Sequence, residues 1–319
     1  MQDFENIFAL IDYIQKKLHP LIMMPNVNTT SFFLMRNQNE FLSLVPKGQF
    51  LFYFRGEPMI YTSCYANIYR DFKNEKYLLD RLQQIEFEIL LRNSPIIDGQ
   101  SNFNFQIFDK TLVYQVDFLA LSQHYGIATE YLDLTNNLFV ALFFATHQGN
   151  PPVSVFEGDG VLYCFRDENC NNVNTIGMQL FPRPGEQKAF AVKLGLADDF
   201  SLYDKLEKYV FKQTVDGTDY INKLFNNGND LFPKDIILKK VEEIKNKKQF
   251  SYQALNEVHL RYFKNFNKCL LQKKLESNSV DFTNDIPIFT KSQISNLVEY
   301  LNIFIKHLNN ADCRRTLYV

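Results

Sequence analysis

The chain has 319 residues, of which 46% are apolar and 22% charged, and its formal net charge is −2. This is enough apolar material for a large core in one domain or two, and too little net charge for a protein that binds nucleic acid over its whole surface. No apolar run approaches the roughly 18–20 residues of a bilayer-spanning helix, the acidic N-terminus lacks a basic, apolar leader, and the five cysteines are scattered at 64, 164, 170, 269 and 313, so the expectation is a cytoplasmic protein with reduced thiols and no membrane partner.

In chain order, Phe4, Ile7, Phe8, Ile11, Ile14 and Leu18 share one face of a helix over residues 3–19, which Pro20 ends. Residues 30–35 are strand-like, 44–48 read as a turn, and 49–55 as an aromatic core strand ending at Arg55-Gly56. An arginine there can meet an anion, or be held by a carboxylate such as Glu57, Glu86 or Asp133. Residues 58–70 read as loop. Residues 74–93 form a helix with Tyr77, Leu78, Leu82, Ile85, Ile89 and Leu90 as its apolar stripe, and 94–104 a covering loop.

The densest signal lies at residues 119–147. A buried helix over 116–124 runs into Gly126, suited to positive φ just past a helix end. Residues 129–132 can be a short strand, and Thr135 or Asn136 can cap a helix over 138–147. Helix, tight turn, strand and capped helix can bring Gln123, His124, Asp133 and Thr135 to one rim. Equally, Asp133 and Thr135 can serve only as caps, and His124 as a satisfied core histidine.

Residues 148–158 read as loop, 161–165 as a strand, and 168–174 as a polar exposed loop. Two prolines and Gly185 then shape a turn into a strand over 188–194, with Gln187 at its entrance. The remainder reads as helices over 199–211, 218–225, 233–246, 250–275 and 291–308. Between Lys234 and Lys274, eleven Lys or Arg stand against four Asp or Glu, a basic helical surface. No helix-turn-helix, zinc knuckle or aromatic–basic repeat accompanies it, so nucleic acid is not the expected partner.

The order Gln123-His124-Tyr125-Gly126, Thr129, then Leu132-Asp133-x-Thr135 followed by Ala141-x-Phe143-x-Ala145, with Phe54-Arg55-Gly56 upstream, resembles the FRG domain family, named for its Phe-Arg-Gly motif. The resemblance runs over roughly residues 45–195. It extends to Arg70, where the family tends to carry a second arginine, to Arg183 four residues before Gln187, and to 231–235. The family usually has Pro in place of Ala128, Arg in place of Glu130 and Trp in place of Leu134. The second of these departures reverses a charge beside the expected pocket. The resemblance implies a bacterial or phage setting near mobile or defence loci, in a family whose activity is mostly unassigned.

There is no Gly-x-Ser-x-Gly, no His-Glu-x-x-His and no phosphate-cradling glycine loop, and the five histidines lie too far apart for a metal set. A strand-end Arg, a Thr on a strand-to-helix unit and a polar residue on a later strand resemble the layout of ADP-ribosyltransferases. That layout implies NAD as substrate, with no other cofactor expected. Arg55 and Thr135 would hold it, His124 would belong to the catalytic group, and Glu186 or Gln187 would stand beside the reacting sugar. Glu186 and Gln187 cannot both face the pocket if both lie in the strand, and a neutral Gln187 cannot act as a carboxylate. Gln123, Tyr125, Asp133, Arg70 and Arg183 would complete ligand binding. The alternatives are a ligand-sensing or protein-interaction module without turnover, and a buried polar network that binds nothing. The expected fold is α+β: a mixed sheet from segments near 30, 50, 130, 161 and 190 packed with helices in a domain over 1–195, and a mainly helical extension over 196–319.

Overall fold

The computed structural model describes residues 1–18, 32–36, 41–46, 52–70, 75–100, 103–107, 110–149, 151–166 and 173–311. Its elements run β1 (Gln2–Phe4), α1 (Ile7–Leu18), β2 (Phe32–Arg36), β3 (Phe41–Pro46), β4 (Phe52–Glu57), α2 (Lys76–Arg92), α3 (Pro95–Gln100), β5 (Asn104–Ile107), β6 (Lys110–Tyr114), α4 (Phe118–His124), β7 (Tyr131–Thr135) and α5 (Leu138–Thr146). They continue through β8 (His147–Gln148), β9 (Val153–Ser154), β10 (Gly158–Arg166), β11 (Val173–Thr175), α6 (Arg183–Glu186), β12 (Ala189–Lys193), β13 (Leu206–Gln213) and α7 (Val215–Leu224). The chain closes with α8 (Ile237–Asn246), β14 (Gln249–Ser251), α9 (Tyr252–Tyr262), α10 (Lys268–Glu276), β15 (Asp281–Thr283) and α11 (Lys291–Asn309).

The main sheet is mixed, in the order β1-β13-β10-β4-β7-β12-β11. Strands β1 and β13 are parallel and the other neighbours antiparallel. Strand alternation divides its side chains between two cores. Phe52, Phe54, Leu162, Tyr209 and Phe211 face α1, α5 and α7. Tyr53, Leu132, Leu134, Tyr163, Phe190 and Val192 face the other side, over Phe200. Each such side chain, fully buried, contributes about 1.5–3 kcal/mol.

Helix α5 is apolar on every side, and nearly all of it is buried. Its cap is Asn137, whose side chain accepts from the backbone N–H of Phe139 at 2.9 Å and of Val140 at 3.2 Å. The expected caps, Thr135 and Asn136, lie just before it. The helix rests on two strand glycines. A Cβ on Gly56 would come within 1.8 Å of the Ala141 carbonyl oxygen, and one on Gly160 within 2.8 Å of that of Ala145. The glycine of Phe-Arg-Gly is therefore required by space, with the two small residues of Ala-x-x-x-Ala set opposite it.

The strands near 50, 130, 161 and 190 lie in the main sheet as expected. The one near 30 does not: β2 belongs to a second sheet, ordered β2-β3-β6-β5. The expected turn at 44–48 is strand β3 through Pro46, and Lys47 and Gly48 lie outside the described residues. The expected loop at 94–104 contains α3. Residues 199–211 are not a helix but a single 3-10 turn followed by β13, which pairs with β10. Consecutive Tyr209, Val210 and Phe211 each find a buried face, which a strand between two cores offers and a one-sided helix does not. The expected helix over 250–275 is divided into β14, α9 and α10, with Asn267 capping the last. Most of the expected loop at 168–174, and Cys170 and Cys313, lie outside the described residues. Cys64, Cys164 and Cys269 are free thiols.

Helix α2 carries much of its polar face inside. Leu82, Ile85 and Ile89 pack on Phe250, Leu255 and Val258. Buried Glu86 accepts from Lys247 and from the Ser251 hydroxyl at 2.7 Å, so it holds neither Arg55 nor His124. Among the described residues no helix is long and apolar enough to cross a membrane.

Gly56→Ala is expected to destabilise by about 3 kcal/mol or more, since helix backbone cannot yield to the added methyl as a side chain could. Gly99→Ala on α3, where an added Cβ meets nothing, should shift stability by under about 1 kcal/mol in the favourable direction. Urea unfolding midpoints of the two variants check both.

Candidate functional site

The site lies where the main sheet parts. Strands β4 and β7 share one registered pair, Phe54 opposite Thr135. On their outer sides, β4 matches β10 over six positions and β7 matches β12 over five. Beyond the single pair, Arg55 takes over from the missing ladder. Its Nη1 donates to the Asp133 carbonyl at 3.1 Å and its Nε to Glu57 Oε1 at 3.3 Å. A cavity of about 430 Å³ opens in the gap, a volume within the roughly 300–1,000 Å³ of small-molecule sites.

Arg55, Asp133 and Thr135 line this cavity from the parted strands, and Gln123 and His124 from the end of α4. Gln187, just past α6, and Arg70, at the exposed rim, complete the expected residues present. Helix α4 reaches the rim because Asp117 caps its start and Gly126, at φ 78°, turns the chain directly after it. Thr129 Oγ1 donates to Gln123 Oε1 at 3.0 Å, turning the Gln123 amide towards Asp133 Oδ2, 3.5 Å away.

A chain of polar contacts crosses the floor. Gln187 Nε2 donates to the Leu231 carbonyl at 3.1 Å, which leaves its Oε1 to accept from His124 Nδ1 at 2.9 Å. The amide orientation is set by the Leu231 carbonyl, which can only accept, and it places a proton on Nδ1. The other ring nitrogen, Nε2, faces Asp133 Oδ1 at 3.4 Å. Thr135 Oγ1 accepts from the Asn137 N–H at 3.2 Å. Burial pulls the Arg55 guanidinium down, and the neighbouring Cys64, Glu57 and Asp133 groups outweigh this and hold it above its ordinary value. It is a permanent cation at the cavity wall.

Three expected residues point elsewhere. The Tyr125 hydroxyl donates to Asp235 Oδ2 at 2.5 Å. Arg183 Nη1 donates to the His124 carbonyl at 3.0 Å, and its guanidinium covers the Tyr125 and Phe232 rings. These two brace the end of α4 from behind. Glu186 closes α6, where burial raises its carboxyl, and it does not line the cavity; its neighbour Gln187 does.

Several lining residues were not anticipated. Glu57, expected only as a carboxylate that could hold Arg55, does so and also lines the cavity, since it follows Arg55 at strand spacing on the same face. Its Oε1 also accepts from Cys64 Sγ at 3.3 Å, and burial pushes that thiol up to about 11, so it stays protonated. Tyr61 and Asn67 come from a segment without periodicity, and Phe144 from the apolar helix. His147 also lines the cavity, but its Nδ1 meets the Phe143 carbonyl and its Nε2 the Asn222 and Ser154 side chains, and burial lowers it. Among the described residues no group of His, Cys, Asp or Glu is placed to hold a metal ion.

Glu130 does not bear on the cavity. It turns to Arg81 of α2, with Nη1 at 2.6 Å, and accepts from Gln84 Nε2 at 3.0 Å. Burial alone would raise its carboxyl, and Arg81 outweighs this, holding it below its ordinary value. Its share of stability is therefore present above about pH 4.3, the unfolded value, and is lost as pH falls through the lowered one. Glu130→Ala strands a buried guanidinium and should cost about 3–5 kcal/mol at pH 7. Glu130→Gln should flatten the acid limb of stability against pH, as denaturant titrations at stepped pH would read.

Residues 51–153 match the family model of the FRG domain. No curated protein and no solved structure gives a match. The matched span contains β4, α4, β7 and α5; Gln187 lines the cavity from beyond it, held by the Leu231 carbonyl. Most of the walls of the candidate site thus lie within residues 51–153, the span that is similar to the FRG domain.

Proposed function

We propose that the cavity binds a nucleotide of the NAD type and cleaves its nicotinamide glycosidic bond, as an ADP-ribosyltransferase or NAD glycohydrolase does. The observation that carries this reading is the meeting of Arg55, the His124–Asp133–Thr135 unit and Gln187 at one cavity, from segments far apart in the chain. Their order matches the segment order that the enzyme layout requires. The cations Arg55 and Arg70 suit phosphate oxygens. Tyr61 and Phe144 offer aromatic faces to a base or nicotinamide ring, and Gln123 and Asn67 offer amides to its polar edges. The reaction develops positive charge on the ribose, so catalysis consists of holding the sugar and placing negative charge beside it. In the bacterial defence setting that the family resemblance implies, such a reaction would deplete NAD or modify a target.

Incubation of the protein with NAD should release free nicotinamide, measured by chromatography. NAD at a hundred times its Kd should add about 2.7 kcal/mol to stability, a melting shift of several degrees. Arg55→Ala, if it retains a cooperative melt, should lose both responses by at least about tenfold, as expected for a lost charge-assisted contact to phosphate. A nucleotide-induced melting shift without nicotinamide release would favour the ligand-sensing alternative. Neither response in the wild-type protein would sink the nucleotide reading.

A further inference from the structure

We infer that Asp133 is the carboxylate that meets the reacting sugar, and that Gln187 is its positioning residue, acting through His124; this rests on the NAD reading. The two carboxylates lining the cavity differ in reach. The Glu57 side chain is 4% exposed, and its Oε1 is engaged by Arg55 and Cys64. The Asp133 side chain is 36% exposed. Asp133 is also held from the wall: its carbonyl accepts from Arg55 and its Oδ2 lies near the Gln123 amide, while its Oδ1, 3.4 Å from His124 Nε2, has no hydrogen-bond partner. A carboxylate at the open wall of a cavity, braced from behind, is suited to stabilise charge that develops in front of it.

Gln187 stands where the segment order calls for a carboxylate, yet both ends of its amide are committed, one to the Leu231 carbonyl and one to His124 Nδ1. It cannot also turn to a ligand without breaking one of them. Its effect passes from Leu231 through Gln187 to His124, fixing the ring beside Asp133 so that Nε2 donates to Oδ1 when the ring carries both protons.

In the step, the C1′–N bond of the nicotinamide riboside breaks and its electron pair leaves with neutral nicotinamide. The oxocarbenium left at C1′ lies beside Asp133. A water oxygen then bonds to C1′, and the proton it sheds passes to the Asp133 carboxylate and on to solvent. The products are ADP-ribose, nicotinamide and one proton.

Asp133→Asn keeps the shape and removes the charge. Nicotinamide release should fall at least about 100-fold, while the NAD-induced melting shift persists. Gln187→Leu should lower kcat about tenfold with KM changed less than about twofold, the mark of an interaction felt in the transition state alone. Gln187→Glu retains an acceptor for His124 Nδ1 and should recover part of that loss; a merely structural Gln187 would lower melting temperature and nucleotide binding together. If the wild-type protein releases nicotinamide and Asp133→Asn does so within threefold of it, Asp133 is not the reacting carboxylate. If the wild type releases none, the NAD reading fails first and this assignment with it.

Discussion

Arg55 donates to the Asp133 carbonyl across the point where β4 and β7 part. A sheet that parts in its middle leaves backbone groups unpaired beside a hollow, and such groups are costly unless something answers them. The guanidinium answers one of them and brings a fixed positive charge with it. The same side chain that allows the sheet to open therefore also sets the electrostatics of the opening. Gly56, next along β4, lets α5 press onto the strand at the same level, so Ala141 and Phe144 of that helix stand in the cavity wall.

Around this opening, buried ionic groups hold the walls. Arg81 and Glu130 join α2 to the chain entering β7. Arg183 holds the last turn of α4 through the His124 carbonyl, and Tyr125 anchors it to Asp235. Ion pairs at such depth give little net stability over apolar packing, yet removing one partner is expensive. Their consequence here is geometric: the segments that carry Gln123, His124 and Asp133 have few alternative positions, and a site with preorganised dipoles and charges needs that.

The contacts also cross the chain's length. Strand β13 sits beside β10 in the main sheet, and Leu231 supplies the carbonyl that orients Gln187. The FRG match ends at residue 153, yet the cavity draws on residue 187 and, through it, on residue 231. The matched region forms two walls, and later segments supply the floor.

Much of this was legible in the residues themselves. The periodicity of α2, the Gly126 turn, the all-apolar α5 and the strand at 52–57 follow from local pattern, and the two motifs contain Arg55, Gln123, His124, Asp133 and Thr135, which line one cavity. Local pattern failed where both faces of an element are buried, as at 206–213, because helical and strand periodicities then look alike. It failed also for side-chain direction: Tyr125 follows His124, and Glu186 precedes Gln187, yet one of each pair lines the cavity and the other does not. Adjacent residues point apart in any regular element, and which one faces the cavity depends on what packs against the other side. Propensity and spacing are properties of neighbours in sequence, whereas the parting of β4 from β7 and the capture of Gln187 by Leu231 arise from partners dozens of residues away, so only the tertiary structure could decide them.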